Sequence, residues 1–186
     1  MRSFIKILIM LNMMLSVVVL SFTTRELTTS EIERMFQLLA SLKNTPYVWG
    51  GTSEFGIDCS GLVVYILNKL GFKKFIYKSS LVLDVTADNL YKYNTKPLKD
   101  VKDLKKGDLI FLDMNEDGTF DHVTIFDTID GYGNIWVWDA AEMSDGLHQN
   151  KVDKKPIFLL SARKYALGRI LVVVEQLNIQ SKDKTK

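Results

Sequence analysis

The sequence predicts an α+β fold, with helices in its first half and an antiparallel sheet in its second. Three observations predict it: two apolar runs at helical spacing before residue 72, four strand-like runs after Gly107, and turn residues between those runs. At 186 residues, 47% hydrophobic and 25% charged, the chain is long enough for one domain with a substantial core and is not of disordered composition. A net charge of +2 leaves no footprint of nucleic-acid binding, although it tolerates an anionic surface such as a cell wall.

Taken in order, Arg2 and Lys6 precede the apolar run "ILIMLNMMLSVVVLSF", which reads as a signal peptide over residues 1–22 with a cleavage site near Ser21. The run is shorter than the roughly 20 apolar residues a spanning helix needs, so an uncleaved membrane anchor is the second reading. No cysteine follows the run, which excludes a lipid-anchored N-terminus. Residues 23–176 are expected to form the domain and 177–186 a disordered tail.

"TTSEIERMFQLLASLKN" places Ile32, Met35, Phe36, Leu38, Leu39 and Leu42 at helical spacing, with Ser30 and Glu33 as a capping box. Pro46 ends that helix, and "TPYVWGGT" continues as an extended, glycine-bearing loop. "CSGLVVYILNKLG" reads as a second helix from Cys59, closed by Gly71 at its C-terminal cap. Beyond it, "SSLVLDVTADNLYKY" suggests a helix around Val82 to Tyr91, and "KPLKDVKDLKKGD" a loop with a short turn. "DLIFLD", "HVTIFDTI", "NIWVWDA" and "GRILVVVEQL" are the strands, separated by "NEDG", "DGYG" and a longer polar stretch around Ser144 to Lys155.

Cys59 is the only cysteine. An exported chain that used cysteine for stability would carry an even number, so Cys59 is either an inert buried residue or a reactive group. At the first turn of a helix the unpaired N–H groups and the macrodipole favour an anion, so a thiolate forms there more readily. The same N–H groups can face a developing oxyanion.

A nucleophilic cysteine needs a base, and the chain has two histidines. His122 opens the apolar strand "HVTIF"; His148 lies in the polar loop "DGLHQNK" and reads as exposed. A third polar group must orient the base. Asp139 closes a strongly apolar strand and is the first choice, with Glu142 the runner-up. Asp121 points to the opposite face of its strand from His122.

Three blocks in order, "TPYVWGGTSEFGIDCSGLVVYIL", "VKDLKKGDLIFLD" and "DHVTIFD", make the chain resemble the NlpC-type cell-wall peptidases, papain-like cysteine enzymes of bacteria. The resemblance runs from about Met35 to Arg169. It implies a papain-like fold with the nucleophile helix packed on a C-terminal antiparallel sheet. It also implies Cys59 as nucleophile, His122 as base and Asp139 as its orienting group, at a position where the family commonly carries histidine. By the same resemblance Tyr47, Asp58 and Ser60 line the substrate cleft, with Asp58 meeting the free amine of a peptide stem. Helix capping is the competing role for Asp58.

The implied activity is hydrolysis of peptidoglycan stem peptides, typically between D-glutamate and a diamino acid, by a monomer that needs no metal or organic cofactor. Contact with a membrane is expected only through the N-terminal segment, if that segment is uncleaved. A related cysteine amidase or acyltransferase, and a wall-binding module without activity, are the rival readings. Finally, "DMNEDGTFD" sets Asp113, Asn115, Asp117, Gly118 and Asp121 at calcium-loop offsets, but Thr124 stands where the loop's twelfth position wants glutamate. An acidic hairpin turn is the preferred reading and calcium the lesser one.

Overall fold

Alternation within "DLIFLD" decides where the core lies. In the computed structural model, which describes residues 19–141, 150–157, 160 and 163–178, strand β7 (Leu109–Asp113) is buried along its whole length. Side chains of a strand point alternately to its two faces. Leu109 and Phe111 accordingly enter the main core, while Ile110 and Leu112 enter a smaller cluster with Phe126, Val137, Leu160 and Leu167.

Among the described residues the main sheet has seven strands. Its path is β1 (Val19–Glu26), β11 (Lys164–Asn178), β7, β8 (His122–Ile129), β9 (Ile135–Ala141) and β10 (Lys151–Ile157), and β6 (Thr95–Leu98) pairs with β11 off that path. The β6–β11, β11–β7, β7–β8, β8–β9 and β9–β10 pairs are all antiparallel. Residues Thr24–Val173 form one compact unit. Of the other unit, the described residues are the outer ends of β1 and β11, where Thr23 Oγ1 donates to the carbonyl of Val174 at 3.5 Å.

Among the described residues, three α-helices accompany the sheet. Helix α1 (Thr29–Ser41) is amphipathic and buries Met35 and Leu39. Its capping box is Thr28 with Glu31, not Ser30 with Glu33. Both pairs have the required spacing, but Glu31 is also held by Arg25 at 2.7 and 2.8 Å, which favours starting the helix two residues earlier. Helix α2 (Cys59–Lys69) buries residues on every side, among them Leu62, Val63, Val64, Ile66 and Leu67, and so forms the centre of the main core. It ends where expected, with Leu70 as C-cap and Gly71 at φ +102°.

The stretch after α2 differs from the expectation. Phe75–Tyr77 (β4) and Ser80–Val82 (β5) make a two-stranded hairpin, and helix α3 occupies Ala87–Asn94. Thr86 caps α3 by accepting from the amide of Asn89, so the helix cannot begin at Val82. "KPLKD" is largely strand, because β6 pairs Thr95 to Leu98 with Leu167 to Ile170; a single 3₁₀ turn, Val101–Asp103, follows. The polar stretch before Lys155 contains β10, which pairs with β9 throughout. Leu177 and Asn178 belong to β11 and not to a tail. The rest of the expected tail and most of the expected leader lie outside the described residues, with residues 19–22 falling in β1. Among the described residues no helix is long and apolar enough to cross a membrane.

Candidate active site

The cysteine is positioned by its own loop. Short strands β2 (Thr52–Ser53) and β3 (Gly56–Ile57) fold the chain back, so that the amide of Val48 donates to Ile57 and that of Asp58 to the carbonyl of Gly51 at 3.0 Å. Gly50 stands at φ +71°, a conformation that favours glycine, and its amide donates to Asp58 Oδ2 at 2.8 Å. Asp58 Oδ1 accepts from the amide of Gly61 at 2.6 Å and from Ser60 Oγ at 3.2 Å. Asp58 is therefore the N-cap of α2, and Cys59 is the first helical residue. Helix geometry gives the first amides of α2 no acceptor within the helix, and the cap satisfies only that of Gly61.

Cys59 is 9% exposed. Its sulfur lies 3.9 Å from the carbonyl oxygen of Asp121, which brings the start of α2 against the start of β8. The half-buried His122 lies beside the Cys59 sulfur, which favours the protonated ring. Its Nε2 is 2.9 Å from Asp139 Oδ1. That carboxylate oxygen receives no hydrogen bond of favourable angle, so the contact acts mainly by charge.

Asp139 is 4% exposed and has a second cation, because Lys155 Nζ sits 2.9 Å from its Oδ2. Burial is the largest influence on His122 and opposes its charge. The Asp139 carboxylate, chiefly by charge, and the Cys59 sulfur outweigh burial and raise the imidazole from 6.5 to about 10. Burial likewise disfavours the Asp139 anion, but His122 and then Lys155 hold it below the usual carboxylate range.

Beside the sulfur lies a cleft of about 490 Å³. Tyr47, Asp58 and Ser60 line it together with Cys59, as do Trp49 and Tyr77. Of the sequence-derived residues, Cys59 and the three expected wall residues line this cleft, whereas His122 and Asp139 lie beside Cys59 without lining it. Glu142 and His148 lie outside the described residues. Lys155 was not among the expected residues; its run "KVDKKPI" has no apolar alternation to mark it as a strand.

Asp113 to Asp121 forms the connection between antiparallel β7 and β8, a hairpin turn. Its carboxylates face inward onto backbone donors: Asp113 accepts from Asp117 and Gly118, and Asp121 from Met114 and Asn115.

The NlpC/P60 family model matches residues 44–158. The chain belongs to the NlpC/P60 family. It is 36% identical over 101 residues to a probable endopeptidase, YafL, of Escherichia coli, a match covering 54% of this chain and 36% of that protein. It is 36% identical over 84 residues to the murein DD-endopeptidase MepH of the same species, covering 44% of this chain and 27% of that protein. It is 35% identical over 100 residues to a gamma-D-glutamyl-L-lysine dipeptidyl-peptidase of Bacillus cereus, covering 53% of this chain and 26% of that protein. The matched region is thus about a third or less of these relatives' length. An NlpC/P60 family protein of Bacillus cereus superposes with a TM-score of 0.56 at 22% identity, over 78% of this chain and 40% of that one. A lipoprotein-like NLP/P60 protein of Staphylococcus aureus gives 0.55 at 20% identity, over 80% and 44%. These likenesses establish the α+β NlpC/P60 fold, with the cysteine helix on the antiparallel sheet.

Proposed function

We propose that the chain is a cysteine endopeptidase of peptidoglycan stem peptides, with Cys59 as nucleophile, His122 as general acid and base, and Asp139 as the group that orients His122. One observation carries the reading: the imidazole of His122 lies beside the Cys59 sulfur and 2.9 Å from a buried carboxylate. In this reading the reacting pair is thiolate and imidazolium. The thiolate attacks the scissile carbonyl, a C–S bond forms, and the oxyanion is held by the free amides of Cys59 and Ser60. As the C–N bond breaks, the leaving amine takes the proton of His122. The neutral imidazole then removes a proton from water, the hydroxide attacks the thioester, and the C–S bond breaks to restore thiolate and imidazolium.

The bond we propose is that between D-glutamate and the diamino acid, supported by the name of the Bacillus cereus relative. The name of MepH supports a second reading, a DD-endopeptidase. Tyr47, Asp58 and Ser60, as cleft residues, are the proposed contacts to the stem. Export through segment 1–22, action as a monomer and independence of any cofactor belong to the same reading. Purified muropeptides incubated with the protein and analysed by mass spectrometry test it, because the released fragments identify the bond. Cys59→Ala is expected to lower the rate by roughly 10⁴-fold or more. Cleavage that persists in this variant overturns the proposal.

A further inference from the structure

A buried carboxylate beside an imidazole creates a difficulty for turnover. The attack step uses imidazolium, but the hydrolysis step needs the same ring neutral, and an unopposed anion holds the proton on it. The described groups facing Asp139 are His122 from β8 and two residues of β10: Lys155, at 2.9 Å, and Asp153, directly across in the strand register. Asp153 is engaged elsewhere, by Lys43 at 3.3 Å and by the amide of Lys154 at 2.8 Å. Cys59, from α2, also acts on the imidazole. Lys155 is thus the described cation, other than His122 itself, that offsets the charge of Asp139.

Strand geometry explains why it can do so. Lys155 pairs with Val137 and Asp153 with Asp139, so all four side chains share one face of the β9–β10 ladder, and Lys155 reaches Asp139 along the diagonal. The side chain of Lys155 is 29% exposed and that of Asp139 5%, so the ammonium keeps contact with water while the carboxylate does not. The two oxygens of Asp139 are divided between the two cations, which also fixes the plane in which Oδ1 meets the ring.

We propose that Lys155 is a positioning residue of this site: its ammonium fixes the Asp139 carboxylate and offsets its charge, so that His122 can release its proton within each turnover. The idea rests on the catalytic reading above as far as rate is concerned, but its electrostatic part can be measured without activity. The His122 ring is followed by NMR across pH in the full-length protein, with His148→Asn used to assign the two histidines. Lys155→Met and Lys155→Gln are each compared with wild type, and Lys155→Arg serves as the conservative rescue.

Removing the ammonium is expected to move the His122 midpoint upward by about one pH unit, with kcat on muropeptides near neutral pH falling about tenfold and KM little changed. The thioester intermediate should accumulate in the same variants, and Lys155→Arg should restore midpoint and kcat together. A His122 midpoint that stays in place or falls in folded Lys155→Met or Lys155→Gln overturns the proposal. If wild type itself cleaves no muropeptide, the catalytic reading fails, and the midpoint comparison still decides the coupling between Lys155 and His122.

Discussion

Gly61 packs beneath the carbonyl of Gly51: a Cβ added there would lie 2.0 Å from that oxygen and 3.0 Å from Asp58 Oδ1. Neither neighbour can swing away, since one is backbone and the other is the helix cap. Gly61→Ala is therefore expected to displace the 50–58 loop, destabilise the protein by about 1–3 kcal/mol and lower cleavage activity, with urea denaturation and a muropeptide assay as the measurements. At this scale much of the site was legible. A lone cysteine at a helix start, a histidine opening an apolar strand and an acid within another apolar strand each break a local pattern, and those breaks pointed to Cys59, His122 and Asp139. Lys155 breaks none, because a lysine among lysines and aspartates reads as a solvated residue.

Helix α2 shows what one cap can do for a reactive group. Asp58 satisfies Gly61, draws in Gly50 and accepts from Ser60, so a single carboxylate joins the glycine loop to the helix. Asp58→Ala is expected to cost about 1–2 kcal/mol in chemical denaturation, and Asp58→Asn less, because the amide oxygen can still accept at the cap. An Asp58→Ala protein as stable as wild type would show that the cap is dispensable. Elements dominated by local signals were readable: α2 from its cysteine to Gly71, and β7, β8 and β9 from their apolar runs. Those made by pairing were not. β10 carries alternating charges and exists because β9 offers it a full ladder, and Ser80–Val82 is a strand because Phe75–Tyr77 lies beside it.

Across the whole 24–173 unit, the His122–Asp139 pair links folding to pH. The pKa of His122 rises from 6.5 to about 10, so its contribution to stability is fully present below pH 6.5 and is lost as pH climbs towards 10. Asp139 is shifted downward, so its contribution is present above its unfolded value of 3.8 and is lost as pH falls. The stability difference between wild type and His122→Gln, measured by urea denaturation, should hence be largest between about pH 4 and 6.5 and shrink towards pH 10. A difference that is flat from pH 6 to 10 would contradict the ion pair.

By itself the sequence determined the fold class and the cysteine helix and singled out Cys59, His122 and Asp139 as candidates, because helix caps, glycine turns and apolar periodicity act over a few neighbouring residues. The tertiary structure alone decided which capping box starts α1, that a charged run becomes β10, and that Lys155 stands on Asp139. Those outcomes depend on strand register and on competition among distant partners, and Lys155 and Asp139 become neighbours only once β9 and β10 are paired.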